Sequence, residues 1–276
     1  MKQKLIFLDI DGTLTEPGKN VPPPSALEAV RRAQAKGHKA VLCSGRNHVM
    51  LSPLLQYGFD GVISSAGGCI EYGGQMVYDC PMTPEQQKRV LSVFEESGIY
   101  RTIGSRHHSY TDEGFKEFLA ENAQSQANSE LLRWRIQLES ELNIRPMAEY
   151  DGEPIYGMAF MSCGMDRLRR PMEALQDEFH FCIQDTDACG IVNGELMNRA
   201  FNKGMAVRRL CQYLDVPVED TVAFGDSMND LELLQTAGVS VCMGNGSAGL
   251  KEIAGLVCPP VEEDGLYWAF EKLGLI

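Results

Sequence analysis

The segment LIFLDIDGT, residues 5–13, places the tightest constraint on the fold. Leu5 to Leu8 contain no polar side chain. A strand of that kind must be covered on both faces, as in a parallel sheet with helices above and below it. KAVLC, DGVISS, TVAFGD and VSVCM repeat the signal further along the chain. Helical patterns alternate with them: SALEAVRRAQAKG, with Ser25 placed to cap it and Gly37 to end it, then KGMAVRRLCQYLDV and DLELLQTAG. That alternation predicts an α/β fold with a doubly wound parallel sheet. CIEYGGQMVYD, two alternating runs joined by Gly73-Gly74, predicts a hairpin.

Residues 81–188 change character. TPEQQKRVLSVFEESG reads as a helix, YRTIGSRHHSYTD as a polar strand region, and a long helical stretch runs through SELLRWRIQLESELN. EPIYGMAFMSC alternates, and MDRLRRPMEALQDEF is helical again. Less uniformly apolar strands suit a sheet with one wet face. The expectation is therefore a discontinuous α/β domain, residues 1–80 and 189–276, with an α+β domain inserted at 81–188. Cys80–Pro84 and Asp185–Gly190 are the candidate hinges. Trp134, Met161 and Met165 read as core residues.

A formal net charge of −13 argues against nucleic-acid or anionic-membrane partners. No apolar run approaches the ~18 residues of a membrane span. The run after Lys2 and Lys4 is too short for a secretory signal. The nine cysteines are scattered without a C-x-x-C pair, as expected of reduced thiols in a cytoplasmic protein. Any anionic ligand must be met by positive charge built locally against the overall field.

Four polar clusters follow the buried strands or open a helix: Asp9-Ile10-Asp11-Gly12-Thr13, Ser44-Gly45-Arg46, Lys203-Gly204, and Gly225 to Asp230. Ligands of open α/β sheets bind at the carboxyl ends of the strands, so all four should share one edge. Asp9 and Asp11, two apart on an extended segment, should face the same way and repel each other. With Asp226, Asp230 and Asn229 they imply a hard divalent cation, and beside phosphate that is Mg²⁺. Lys203, the hydroxyls of Thr13 and Ser44, and backbone N–H groups at Gly12, Gly45 and the helix starts form an anion cradle. A lysine opening a helix opposes the helix dipole unless an anion lies there. Plainer roles also exist. Ser44 could cap a helix, Asn229 or Asp230 could cap DLELLQ, and Arg46 could form a structural ion pair. Arg106 and His107, with Arg101 and His108, are either substrate contacts or a solvated basic patch.

DIDGT, SGR, KG at a helix start and GDSMND, in that order, resemble the four motifs of the haloacid dehalogenase (HAD) superfamily. The insertion between the second and third motifs resembles the type IIB cap of Cof-type phosphatases. The resemblance implies a Rossmann-like core under a mobile cap and a phosphatase acting on a small phosphorylated metabolite, such as a sugar phosphate, nucleotide or phosphorylated cofactor. It implies that Asp9 attacks phosphorus and that Asp11 protonates the leaving alcohol. Mg²⁺ would lie on Asp9, Asp226 and the Asp11 carbonyl, supported by Asn229 or Asp230, while Ser44 and Lys203 hold phosphoryl oxygens. A phosphomutase, or a sensor that binds phosphoryl ligands without turnover, would use the same core.

Two stretches depart from the Cof pattern. Ser65-Ala66-Gly67-Gly68 stands where Asn-Gly-Ala is usual, and Met243-Gly244-Asn245-Gly246 stands where Met-Gly-Asn-Ala is usual; the second change should loosen a loop beside the site. GNGSAG, residues 244–249, also fits the dinucleotide-binding G-x-G-x-x-G. The helix after it, LKEIA, is too short for a crossover back over the sheet.

Overall fold

The computed structural model describes residues 2–115, 117–118, 144–186 and 190–276. Two compact units divide the chain: Met1–Gly45, Leu51–Asp79 and Phe201–Ile276 form one, and Arg46–Met50 with Cys80–Ala200 form the other.

The first unit is built on strand β1 (Leu5–Leu8), buried at all four positions. It pairs in parallel with β2 (Lys39–Cys43) on one side and β12 (Thr221–Gly225) on the other. β3 (Gly61–Ser64) extends the sheet beyond β2, and β13 (Val239–Cys242) and β14 (Leu256–Val257) extend it beyond β12, all parallel. The hairpin of β4 (Cys69–Tyr72) and β5 (Gln75–Asp79) closes the β3 side antiparallel. Its turn residues Gly73 and Gly74 have φ of +57° and +76°, as a tight hairpin turn requires.

Alternate residues of β1 feed two separate cores, which is why the strand tolerates no polar side chain. Ile6 and Leu8 pack with Ala29, Val30 and Ala33 of helix Pro24–Ala35 and with Ala269 and Phe270 of helix Gly265–Lys272. Leu5 and Phe7 pack with Val207 and Leu210 of helix Lys203–Leu214 and with Leu233 and Leu234 of helix Leu231–Thr236. Each buried valine, leucine, isoleucine or phenylalanine among them contributes about 1.5–3 kcal/mol by leaving water. The first of these helices starts earlier than expected. Proline at its first position needs no donor, so Ser25 lies inside the helix and donates to Asp264 instead of capping. Gly37 does end it, at φ +91°.

The second unit holds a six-stranded sheet in the order β10-β11-β9-β6-β7-β8. The strands are β6 (Tyr100–Ser105), β7 (Ser109–Thr111), β8 (Ile144–Pro146), β9 (Ile155–Cys163), β10 (Phe179–Thr186) and β11 (Ile191–Asn198). Helices Pro84–Glu96 and Met165–Leu175 cover one face through Val90, Phe94, Leu168 and Leu175, packed on Ile103, Met158, Phe160 and Val192. Thr83 and Gln86 form a capping box at the start of the first of these helices.

Three expectations are corrected here. Residues 190–200 do not return to the first unit, because β11 pairs with both β9 and β10. Its mixed pattern belongs to this sheet, and the unit ends at Ala200. The face away from the helices is wet only in part: Thr102, Thr111 and Asn193 are buried there, Gly157, Ala159 and Glu195 are half-buried, and the two threonine hydroxyls bond each other at 3.0 Å. Met165 is exposed, whereas Met161 is buried as expected. The expected helix through SELLRWRIQLESELN with Trp134, Cys189, and positions 187–189 of the second hinge lie outside the described residues. No helix among the described residues is long and apolar enough to cross a membrane.

Candidate active site

Register brings the polar clusters of the first unit together. Leu8 pairs with Leu42 of β2 and Phe224 of β12, so these three strands finish level. Asp9, Ser44 and Asp226 therefore leave the sheet at its carboxyl edge. The Asp9 N–H still donates to the Phe224 carbonyl, at 3.1 Å, which fixes that residue to the sheet.

Lys203 is the first residue of its helix and is almost fully buried, 2% exposed. Its Nζ donates to Asp9 Oδ1 and to Asp230 Oδ1, each at 2.6 Å. The anions that offset the unfavourable helix dipole are thus the protein's own. Asp230 is wholly buried, and its other oxygen accepts the N–H groups of Asp226 and Ser227 at 3.1 and 3.3 Å. It closes the 226–230 loop and holds Lys203 in place. It stands at the cap position of helix Leu231–Thr236 without making a cap bond there.

Asp9, Asp226 and Asp230 can each offer an oxygen within 4.8 Å of the others. One ammonium does not balance three such carboxylates. Burial, then repulsion from Asp230, pushes the Asp9 carboxyl well above its usual range despite Lys203. Burial and Asp230 likewise push Asp226 up to about 7, against Lys203 and a hydrogen bond from Thr13. Burial also works against the charge on Lys203, but Asp230 and Asp9 outweigh it and hold that ammonium well above its ordinary value. Carboxylates with raised pKa values and only oxygen donors suit a hard divalent cation.

The relation of Asp9 to Asp11 differs from the expectation. The strand ends at Leu8, and the chain then turns around Ile10, whose carbonyl accepts the N–H groups of Thr13, Leu14 and Thr15. Asp11 is therefore placed by a turn and not by strand alternation. Its Oδ1 accepts the Gly18 N–H at 3.0 Å, and its carboxylate is not part of the three-carboxylate group. The amides of Gly12 and Thr13 are spent inside this turn, on Thr15 and Ile10, and not on an open anion cradle. The Thr13 hydroxyl donates to Asp226 Oδ1 at 3.2 Å. Gly12 has φ +85°, and a Cβ there would come within 2.4 Å of Asp226 Oδ2, so the turn presses directly on that carboxylate.

Ser44 is buried, its N–H donating to Ile63 and its carbonyl accepting from Ala66. It caps nothing, since the next helical residues are Val49–Leu51. Gly45 beside it is half-buried. Asn229 accepts from the Ser227 hydroxyl at 2.7 Å. Arg46, Arg106 and His107 belong to the second unit. Arg46 is buried, and the His107 N–H donates to Glu153. Arg101 is committed to Asp112 and the Leu91 carbonyl, and His108 to Glu153, so those two are structural.

Asn245 stands out in the sequence only as part of a motif, yet its Nδ2 donates to the Gly12 carbonyl at 2.7 Å. Ser65 and Ala66 carry left-handed φ angles of 50° and 54° at the end of β3. Neither role has a residue-type signal stronger than the departure from Asn-Gly-Ala and the Gly-Asn dipeptide.

Known proteins resemble the chain over nearly its whole length. A family model described as haloacid dehalogenase-like hydrolase matches residues 6–270. Phosphatase YwpJ of Bacillus subtilis (strain 168) is 27% identical over 284 residues, which cover 95% of this chain and 97% of that one. The solved structure of a haloacid dehalogenase-like hydrolase from B. subtilis is similar at a TM-score of 0.80 and 26% identity, over 98% and 100% of the two chains. A HAD subclass IIB sugar phosphatase, BT4131, shares the fold at a TM-score of 0.75 and 22% identity, over 99% and 100%.

Proposed function

We propose, from the premise that this chain belongs to the haloacid dehalogenase-like hydrolases and is a phosphatase, that it hydrolyses a small phosphomonoester with Mg²⁺ through an aspartyl-phosphate on Asp9. The observation that carries the reading is the buried Lys203 bridging Asp9 and Asp230 at 2.6 Å each, with Asp226 close enough to share a cation. Asp9 is anchored through its own N–H and its carboxylate, as a nucleophile must be to attack in line.

Asp9 and Asp226, with the Asp11 carbonyl, would hold Mg²⁺; Asp230 is already occupied by Lys203 and two amides. When bound, the ion supplies positive charge to the phosphoryl oxygens and to the crowded carboxylates. Lys203 keeps one Asp9 oxygen in place and contributes positive charge where the transition state becomes more negative. Asp11, oriented by the Gly18 N–H, gives its proton to the departing alcohol oxygen, then takes one from the water that cleaves the acyl phosphate. Ser44 lies at the same edge and suits a phosphoryl oxygen. Residues 46–50 and 80–200 are the cap in this reading, and the leaving group is that of a sugar phosphate, nucleotide or phosphorylated cofactor.

The test is phosphate release from a panel of phosphomonoesters with Mg²⁺ or chelator, for wild type and Asp9→Asn. Release that needs Mg²⁺ and disappears in the variant is expected. Undiminished release by Asp9→Asn would overturn the nucleophile. Binding without release from any ester would favour a sensor or a mutase.

A further inference from the structure

The GNGSAG segment is left unexplained by dinucleotide binding, since its helix, Ala248–Ile253, is six residues long and the chain passes at once into β14. Its contacts give it another task. Asn245 uses both ends of its amide: Nδ2 donates to the Gly12 carbonyl at 2.7 Å, and Oδ1 accepts the Val261 N–H at 3.0 Å. Val261 is buried in the core against the sheet, so Asn245 ties the turn after β1 to a fixed point. Two residues on, the Ser247 N–H donates to the Asp226 carbonyl at 2.8 Å. One loop therefore grips both acidic loops of the site. Gly246 fits it closely: a Cβ there would lie 2.8 Å from the Asp226 carbonyl oxygen and 2.7 Å from Cys242 Sγ. The glycine at this position fits the loop tightly against the site, contrary to the loosening expected from sequence.

We infer that Asn245 is a positioning residue that sets the place of Asp11. Asp9 does not depend on it, being held by Phe224 and Lys203. Asp11 does, because its own stretch of the Ile10–Thr15 turn is held to the rest of the unit by the Gly12 carbonyl, beside the Thr13 hydroxyl on Asp226 and the Gly18 N–H on its carboxylate. Loosening that tie moves the proton donor and leaves the nucleophile in place. The inference rests on the phosphatase reading with Asp11 as general acid.

The test compares Asn245→Asp and Asn245→Ala with wild type on two kinds of ester. Asn245→Asp keeps the size and the acceptor for Val261 but sets a carboxylate oxygen, with added negative charge, against the Gly12 carbonyl; it serves if the alanine variant folds poorly. Because kcat/KM reports the step in which the alcohol leaves, alkyl phosphates need the Asp11 proton there, and 4-nitrophenyl phosphate does not. We expect kcat/KM to fall about tenfold or more for alkyl phosphates, part of the 10²–10⁴ that general acid catalysis supplies, and far less for 4-nitrophenyl phosphate. Amide exchange at Thr13–Thr15 should quicken in the same variants, a readout independent of turnover. An equal loss on both esters, or no loss with unchanged exchange, would overturn the inference. Wild type that releases phosphate from neither ester would instead overturn the phosphatase reading, and the exchange result would still judge the tie.

Discussion

Two groups of buried and half-buried charge in this chain are put together differently. In the second unit Arg101 gives Nε and Nη2 to the two oxygens of Asp112, at 2.9 and 2.8 Å, and a third N–H to the Leu91 carbonyl. Glu153 nearby accepts from His108, Tyr110 and the His107 amide. Burial alone would raise the Glu153 pKa, but its hydrogen bonds from His108, Ser105, His107 and Tyr110 lower it. In the first unit three carboxylates share one lysine, and Asp9 and Asp226 are both driven toward protonation. A group that serves the fold completes its charge internally, while one that serves chemistry is left short of positive charge for something that binds. Residue type did not separate them in the sequence, where Arg101, Arg106, His107 and His108 read as a possible substrate patch.

The contrast can be broken most directly at Asp9. Asp9→Asn should cost at least about 10³-fold in turnover, as loss of a nucleophile does. In chelator its melting temperature should equal or exceed that of wild type, because one of three crowded carboxylates has lost its charge. A marked loss of stability would mean that the Asp9–Lys203 pair serves the fold after all.

Arg101→Met should behave in the opposite way. Removing one partner of a largely buried pair strands Asp112, at about 3 kcal/mol of unfolding free energy by urea titration. The folded fraction should retain wild-type kcat/KM. A variant as stable as wild type would place Arg101 with the functional charges.

The smallest effect is a difference in sign with pH, read from denaturant unfolding in chelator. Asp226 titrates at about 7 when folded, above its unfolded value near 3.8, so its contribution is full below that unfolded value and is lost as pH rises through about 7. Glu153 is lowered from 4.5, so its contribution is present above that value and is lost as pH falls through the lowered folded pKa. Asp226→Asn should flatten the loss toward neutral pH, and Glu153→Gln should flatten the loss in acid. If either variant leaves its limb unchanged, that group's place in the comparison is wrong.

The parts legible in sequence were those decided by local pattern. The unbroken apolar run Leu5–Leu8 announced a strand covered on both faces, and Gly73-Gly74 announced a hairpin. The clusters at Asp9, Ser44, Lys203 and Asp226 could be placed on one edge because parallel strands end together. Contacts made at long range were hidden. Nothing near Thr13 shows that its hydroxyl goes to a residue 213 positions away, and Asn245 lies 233 from Gly12. The end of β1 at Leu8 was hidden as well, since DID continues an alternating pattern that the Ile10 turn overrides. Ile191–Asn198 misled for a related reason: a strand with Asn193, Glu195 and small residues is compatible with either sheet until its partners are known.

The central claim is that Asp9 becomes covalently phosphorylated, and the most direct measurement is its detection. Asp11→Asn protein is mixed with 4-nitrophenyl phosphate and Mg²⁺, quenched in acid during turnover, digested and read by tandem mass spectrometry. The account predicts a phosphoryl group on the peptide containing Asp9, formed because this leaving group needs no proton and retained because Asp11 is no longer there to activate water. A phosphoryl group on another residue, or 4-nitrophenol released with every Asp9 peptide unmodified, would contradict it.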